Sequence, residues 1–395
     1  MSARARERHA IYLVPGFFGF ANLGRLRYFV HVDRFLRERC AARGIAARVH
    51  VVRTHPTASL PARAALVLET IARTLARNEV AHLVGHSTGG VDARLATAPG
   101  VALPTGLDVE RCAARVRSVV GVSAPQHGTP LAAALATRGG QRTLAALSLA
   151  TSYVLRFGSL PLTALLGLAA VFAREHGREG TLLDDLSQRL LGDFSLTRRR
   201  AVARLLREVI EDQALLLQLT PEAMSLFAAT VRERPGVRYG SVVTRSRPPS
   251  VATTLAAGPG AGAQAIHAIY GAIYRASAQT PPTSAPPASA AQRRALVDAY
   301  RKLPGAHASD GIVPTRSQLH GRVIAAVRGD HLDVIGHFND ATTDPPHFDW
   351  LTTGSGFDRA RFEAVWNGVL DFLLEPPEPP PQRPAPGRGA RRKSA

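Results

Sequence analysis

The sequence predicts an α/β fold, a mainly parallel sheet flanked by helices and interrupted by a large helical insertion. Two observations carry this reading. Short apolar runs alternate with helical patterns through the first third, which implies parallel strands joined by crossover helices. From Leu131 to about Arg234 the pattern is helical with no clear strand, and strand-like runs return only at Val237. With 395 residues, 45% of them hydrophobic, the chain can bury one large core that carries such an insertion.

The elements follow in order. "AIYLVP" from Ala10 and "ARVHVV" from Ala47 read as buried strands, with a helix from Leu26 to Arg43 between them. Leu60, Ala64, Val67, Leu68, Ile71 and Leu75 recur at helical spacing. "VAHLVG" and "VRSVVGVSAP" give a third and fourth strand. In the middle, Val202, Leu205, Leu206, Val209 and Ile210 form one amphipathic face. "VRYGSVVT" at Val237 is the next strand, followed by a Gly/Ala/Pro-rich insertion over about 247–291 that holds a short helix around Ala265 to Tyr274. "RVIAAV" at Arg322 is the last strand, and "FDRARFEAVWNGVLDFLL" a closing helix. The expected organisation is therefore an N-terminal core part over 1–130, a helical lid over 131–236, a C-terminal core part over 237–374, and a disordered Pro/Arg-rich tail over 375–395.

Composition limits the functions. The formal net charge is +19, carried almost wholly by arginine. No zinc-ligand pattern or RNA-binding motif accompanies it, so no nucleic-acid partner is expected; contact with an anionic membrane is left open. Cys40 and Cys112 imply no disulfide framework. Ile11–Val14 is too short for a signal-peptide core, and the apolar run Leu160–Ala173 falls short of a membrane span. A cytoplasmic location is the expectation. "GPGAGA" at Gly258 does not fit GxGxxG, and no cofactor is expected.

The chemistry points to Gly85-His86-Ser87-Thr88-Gly89, a G-x-S-x-G pentapeptide between an apolar strand and a helical stretch. A sharp strand-to-helix turn brings backbones close, so small residues must flank the serine. The turn lifts the hydroxyl above the sheet, and the helix N-terminus supplies unpaired N–H groups. A serine hydroxyl is a weak nucleophile that needs a base, and the base needs a carboxylate. The expected chain order is serine, acid, histidine. Asp310 in "SDGIVP" and His331, directly after the strand "RVIAAV", fill it. Asp330 is poorly placed to orient the neighbouring ring. His337 and His347 read as surface or packing histidines, His127 as structural or exposed, His82 as a satisfied core residue. The His86 side chain should point away from the reacting group. An oxyanion hole needs two donors: the amide of Thr88, and that of Phe17 in "VPGFFGF".

Together "LVPGFFGF", "GHSTGGVDAR", "SAPQHGTP", "SDGIVP" and "DHLDVIGHF" resemble, in order, the α/β-hydrolases, specifically bacterial lipases and related carboxylesterases with a GHSxGG nucleophile elbow. The resemblance covers about residues 10–130 and 237–372. It implies Ser87 as nucleophile, Asp310 as acid, His331 as base, Phe17 and Thr88 as backbone oxyanion donors, and the helical insertion as a lid over an acyl pocket. The chain departs from many relatives in carrying Pro15 where they carry a histidine. Some relatives bind calcium near the histidine. Asp333 matches one ligand position, but His337 replaces a glutamine and no aspartate lies upstream of Asp310, so no metal is expected. The expected function is a serine carboxylic-ester hydrolase, lipase or lipase-like esterase, acting on a lipid or other acyl ester. The alternatives are an acyltransferase, thioesterase or polyester depolymerase on the same residues, or a non-catalytic lipid- or membrane-binding protein on a hydrolase scaffold.

Overall fold

The computed structural model describes residues 7–17, 28–157, 160–173, 188–211, 214–279, 287–347, 349, 351 and 353–376. The tail from 377 onward, the start of the first expected helix and the end of "VPGFFGF" lie outside them.

Six strands form one parallel sheet in the order β2-β1-β3-β4-β5-β6. They are β1 (Arg8–Val14), β2 (Ala47–Val51), β3 (Glu79–His86), β4 (Val116–Val122), β5 (Arg238–Arg245) and β6 (Arg322–Arg328). All six match the runs read from the sequence. Both faces of the sheet are covered, as parallel sheets require. Alternate residues of β1 enter opposite cores: Ala10, Tyr12 and Val14 pack with Leu60, Val67 and Leu68 of α2 (Leu60–Thr74). Ile11 and Leu13 pack on the other face with α1 (Val30–Ala42) and the closing helix. From β1 the chain moves outward to β2; from β3 it moves the opposite way to β4. The carboxyl ends of β1 and β3 therefore flank a topological switch point, where open α/β sheets form their binding crevice.

Between β3 and β4 lie α3 (Thr88–Thr97) and the short α4 (Val109–Ala113). Between β4 and β5 the chain adds α5 (Pro130–Leu135), α6 (Arg138–Phe157), α7 (Leu162–Ala173), α8 (Leu196–Glu211), α9 (Ala214–Gln218) and α10 (Pro221–Thr230). The Gly/Ala/Pro-rich stretch after β5 is more helical than its composition suggests. It forms α11 (Val251–Ala256), opened by a Ser250/Thr253 capping box, and α12 (Ala261–Ser277). Alanine favours the helix, and Ile269, Tyr270, Ile273 and Tyr274 supply an apolar stripe. Ile269 and Ile273 bury against Leu149, Leu168 and Val202, so α12 and the helices between β4 and β5 share one core. The two stretches read as separate insertions are thus one packed layer. After it come α13 (Ala290–Tyr300), β6 and α14 (Arg359–Leu374).

His31 of α1 stacks on His347 with ring centroids 3.6 Å apart, and His347 on Phe338 at 4.3 Å. His337 and His347 are buried packing residues rather than surface ones. Burial, with the neighbouring His347, His337 and Arg34, lowers the His31 pKa to about 3; burial and His347 lower His337 to about 4; burial lowers His347 against the opposing pull of Asp340. The unfolded imidazoles titrate near 6.5, so the unfolded chain takes up protons first as pH falls. Stability is therefore full above pH 6.5 and declines below it. Replacing His31 by Phe should flatten the decline of the thermal midpoint between pH 6.5 and pH 4; an undiminished slope would locate the acid sensitivity elsewhere.

Candidate active site

Ser87 sits between the end of β3 and the first turn of α3 with φ 56° and ψ −130°. That left-handed conformation costs on the order of 1–3 kcal/mol for a residue with a side chain. The turn holds because its neighbours are glycine. A Cβ on Gly85 would lie 2.1 Å from the Gly89 carbonyl oxygen, and one on Gly89 would lie 2.1 Å from that of Val14. The loop after β1 rests directly on the serine: a Cβ on Gly16 would come within 2.6 Å of the Ser87 Cβ.

Asp310 lies in a tight turn between α13 and β6, closed by the Ser309–Pro314 bridge. It is fully buried, and its two oxygens have separate duties. Oδ1 accepts from the amides of Ile312 (2.9 Å) and Val313 (2.8 Å). Oδ2 accepts from the Thr244 hydroxyl (2.8 Å), Gln318 Nε2 (3.1 Å) and His331 Nδ1 (2.8 Å). The last bond fixes the His331 tautomer and leaves Nε2 as the basic nitrogen. The His331 amide also donates to the Asp310 carbonyl at 3.0 Å. Thr244 and Gln318 escape sequence reading because nothing in their surroundings marks them; only the β5–β6 pairing brings them to the carboxylate.

Ser87, His331, Phe17 and Thr88 line one cavity of about 90 Å³, otherwise walled by Leu131, Leu144, Leu216, Ile273 and Val313. The walls come from α5, α6, α9 and α12 as well as from the sheet. Ser87 is only 7% exposed and His331 2%, so the helical layer covers the serine in this conformation. Of the five residues singled out from the sequence, Ser87, His331, Phe17 and Thr88 thus occur together at the cavity, and Asp310 reaches it through its bond to His331.

Arg63 was not among them. Its side chain is wholly buried on α2 and is paired with the wholly buried Asp92 of α3 at 2.7 Å. The guanidinium also donates to the carbonyls of Pro15 (2.8 Å) and His55 (2.6 Å) and to the Thr88 hydroxyl (3.3 Å). One side chain therefore grips the loops after β1 and β2 and the helix that starts at Ser87. Burial pushes the Asp92 carboxyl pKa up and Arg63 pulls it back. The signal was in the sequence: Arg63 stands in the apolar stripe of α2, between Leu60 and Val67.

The remaining histidines lie outside the cavity lining. His82 is buried in β3 and bonds to His9 and Ser118. His127 bonds to the Leu319 carbonyl, and burial lowers its pKa to about 4. Beside His331, Asp330 and Asp333 lie with Asp349 in a cluster whose ligand oxygens are within 4.8 Å of one another. The expectation of no metal looked for a carboxylate upstream of Asp310; the third one comes from downstream. An all-oxygen set is of the kind hard cations take. Its inner members already accept bonds from their own loop, Asp330 from the Leu332 and Asp333 amides and Asp333 from the Asp330 amide and the Ser355 hydroxyl. Burial, then mutual repulsion, raises all three: Asp330 well above the usual range, Asp333 to about 7 and Asp349 to about 8.

Among solved structures, lipase 1 from Pelosinus fermentans is similar with a TM-score of 0.51 at 16% identity, over 93% of this chain and 98% of that one. A metagenomic carboxyl esterase (TM-score 0.49, 18% identity, 94% and 77% coverage) and EstA from Clostridium botulinum (0.49, 16%, 92% and 89%) are also similar. No family model and no curated protein matches the chain. The first of these likenesses shows the fold alone: the chain shares with that lipase a parallel six-stranded sheet between helices. Among the described residues no helix is long and apolar enough to cross a membrane.

Breaking a buried ion pair by removing one partner costs about 3–5 kcal/mol. Arg63→Met should lose stability on that scale in equilibrium urea unfolding. Arg63→Met with Asp92→Leu should recover much of it, because no lone charge is left buried; a double variant as unstable as the single would assign the loss to packing instead.

Proposed function

We propose that the protein is a serine carboxylic-ester hydrolase of lipase or esterase type that works through an acyl-enzyme. The observation that carries this reading is the 2.8 Å bond between buried Asp310 and His331, which lines the same apolar cavity as a serine strained at φ 56°. A structural turn needs neither the strain nor the oriented ring. In the proposed cycle Ser87 Oγ adds to the ester carbonyl while His331 Nε2 takes the hydroxyl proton. The tetrahedral oxyanion is held by the amides of Phe17 and Thr88. His331 returns its proton to the leaving alkoxide, and the C–O bond breaks to give alcohol and acyl-Ser87. Water then adds with its proton going to His331, and collapse returns that proton to Ser87 and frees the acid. Asp310 stabilises the charged imidazolium.

The lining supports an apolar acyl group, because Leu131, Leu144, Leu216 and Ile273 offer it no polar partner. The layer over the cavity acts in this reading as a lid. Leu162 and Leu166 lie exposed one turn apart on α7, as do Val251 and Leu255 on α11, which supports contact of this layer with lipid.

Ser87→Ala should abolish both hydrolysis of p-nitrophenyl esters and labelling by a fluorophosphonate, with the thermal midpoint retained. Among these esters octanoate should turn over faster than acetate. Undiminished turnover by Ser87→Ala would falsify the assignment. A wild-type chain that resists labelling even in detergent would point to a lipid-binding scaffold instead.

A further inference from the structure

We infer that Tyr28 and His86 form a positioning pair that locks the loop of His331 onto the nucleophile turn; the inference rests on reading Ser87 as the nucleophile. The His86 ring is fully buried and does not line the cavity, but it does not point away from the reacting group as expected: its centroid lies 4.7 Å from that of the His331 ring. Its Nε2 lies 2.8 Å from the backbone oxygen of His331. A carbonyl only accepts, so Nε2 must carry the proton. Burial, reinforced by His331, lowers the His86 pKa well below the ordinary value, which keeps the ring neutral. Nδ1 is then an acceptor, and the Tyr28 hydroxyl, 2.5 Å away, is its donor. Burial pushes the Tyr28 pKa up, so the phenol keeps its proton. The proton positions along Tyr28–His86–His331 are therefore fixed by geometry and burial together.

The chain joins two parts of the site. His86 is the residue immediately before Ser87, so its ring anchors the base loop to the nucleophile turn itself. His331 is then held at its amide and ring by Asp310 and at its carbonyl by His86. Tyr28 is held in its turn: its ring meets Phe29 edge-on with centroids 4.8 Å apart. Neither Tyr28 nor His86 lines the cavity. Their effect should fall on the alignment of the base, which matters more in the transition state than in the bound ester.

The test is steady-state kinetics on a p-nitrophenyl ester with Tyr28→Phe, which removes one oxygen. kcat should fall about 10- to 100-fold with KM unchanged. Affinity for an alkyl trifluoromethyl ketone, which adds to the serine as an oxyanion mimic, should fall in parallel. His86→Phe should lose a similar factor, and the double variant no more than the worse single one, because both break the same chain. His86→Gln, which keeps a donor for the His331 carbonyl, should retain more activity than His86→Phe. Wild-type kcat in Tyr28→Phe, multiplicative losses in the double variant, or a raised KM at constant kcat would each overturn the inference. If the wild-type chain hydrolyses esters and Tyr28→Phe matches it, only the pair's role is lost. If the wild-type chain neither labels nor hydrolyses, the reading of Ser87 fails and this one with it.

Discussion

The site depends on a charge that has been taken out of water. Arg63 and Asp92 are both wholly buried, and moving two ions into the protein interior costs several kcal/mol apiece before their attraction is counted. What offsets that cost is the number of groups one planar guanidinium can satisfy. Besides the carboxylate it binds two loop carbonyls and a hydroxyl, and it does so from a helix that is itself packed on the sheet. A lysine could not span these partners, since it lacks the rigid fork. The Pro15 carbonyl is thereby tied to α2 and to the helix that begins at Ser87.

Around that pair the site is built from strain held in place by close packing. Ser87 occupies a backbone conformation unfavourable for any side chain, and three neighbouring glycines let the strands and α3 approach close enough to keep it there. Asp310 is held by two amides of its own turn and by Thr244 and Gln318 from the sheet and the turn beyond. Asp310, the His331 Nδ1 and Arg63 thus have their partners settled without any ligand. On the proposed reading, little reorganisation is then left for the reaction step.

The helical layer gives the polar site its apolar setting. Residues of α5, α6, α9 and α12 wall the cavity, and α7, α8 and α12 pack into a core of their own behind it. Such a layer excludes water from the serine and strengthens electrostatic interactions beneath it.

Much of this was legible in the sequence. The strands are short runs of Val, Ile and Leu, and buried parallel strands have little choice but to be so. The tight turn at Ser87 is legible because its geometry admits only small residues at Gly85 and Gly89. Asp310 and His331 follow from chain order and from the loops they occupy. The partners of these residues were not legible. Arg63, Asp92, Thr244, Gln318 and Asp349 come from distant segments, and no local rule says which buried polar side chain will meet which. His86 shows the limit most clearly. Its neighbours in the chain say that it stands in a tight turn, while its function depends on Tyr28 and on a carbonyl 245 residues away. Local sequence determines backbone conformation, because steric limits act between neighbours. Only the folded chain decides how buried hydrogen bonds are paired, because desolvation makes every such group find a partner wherever the topology has brought one.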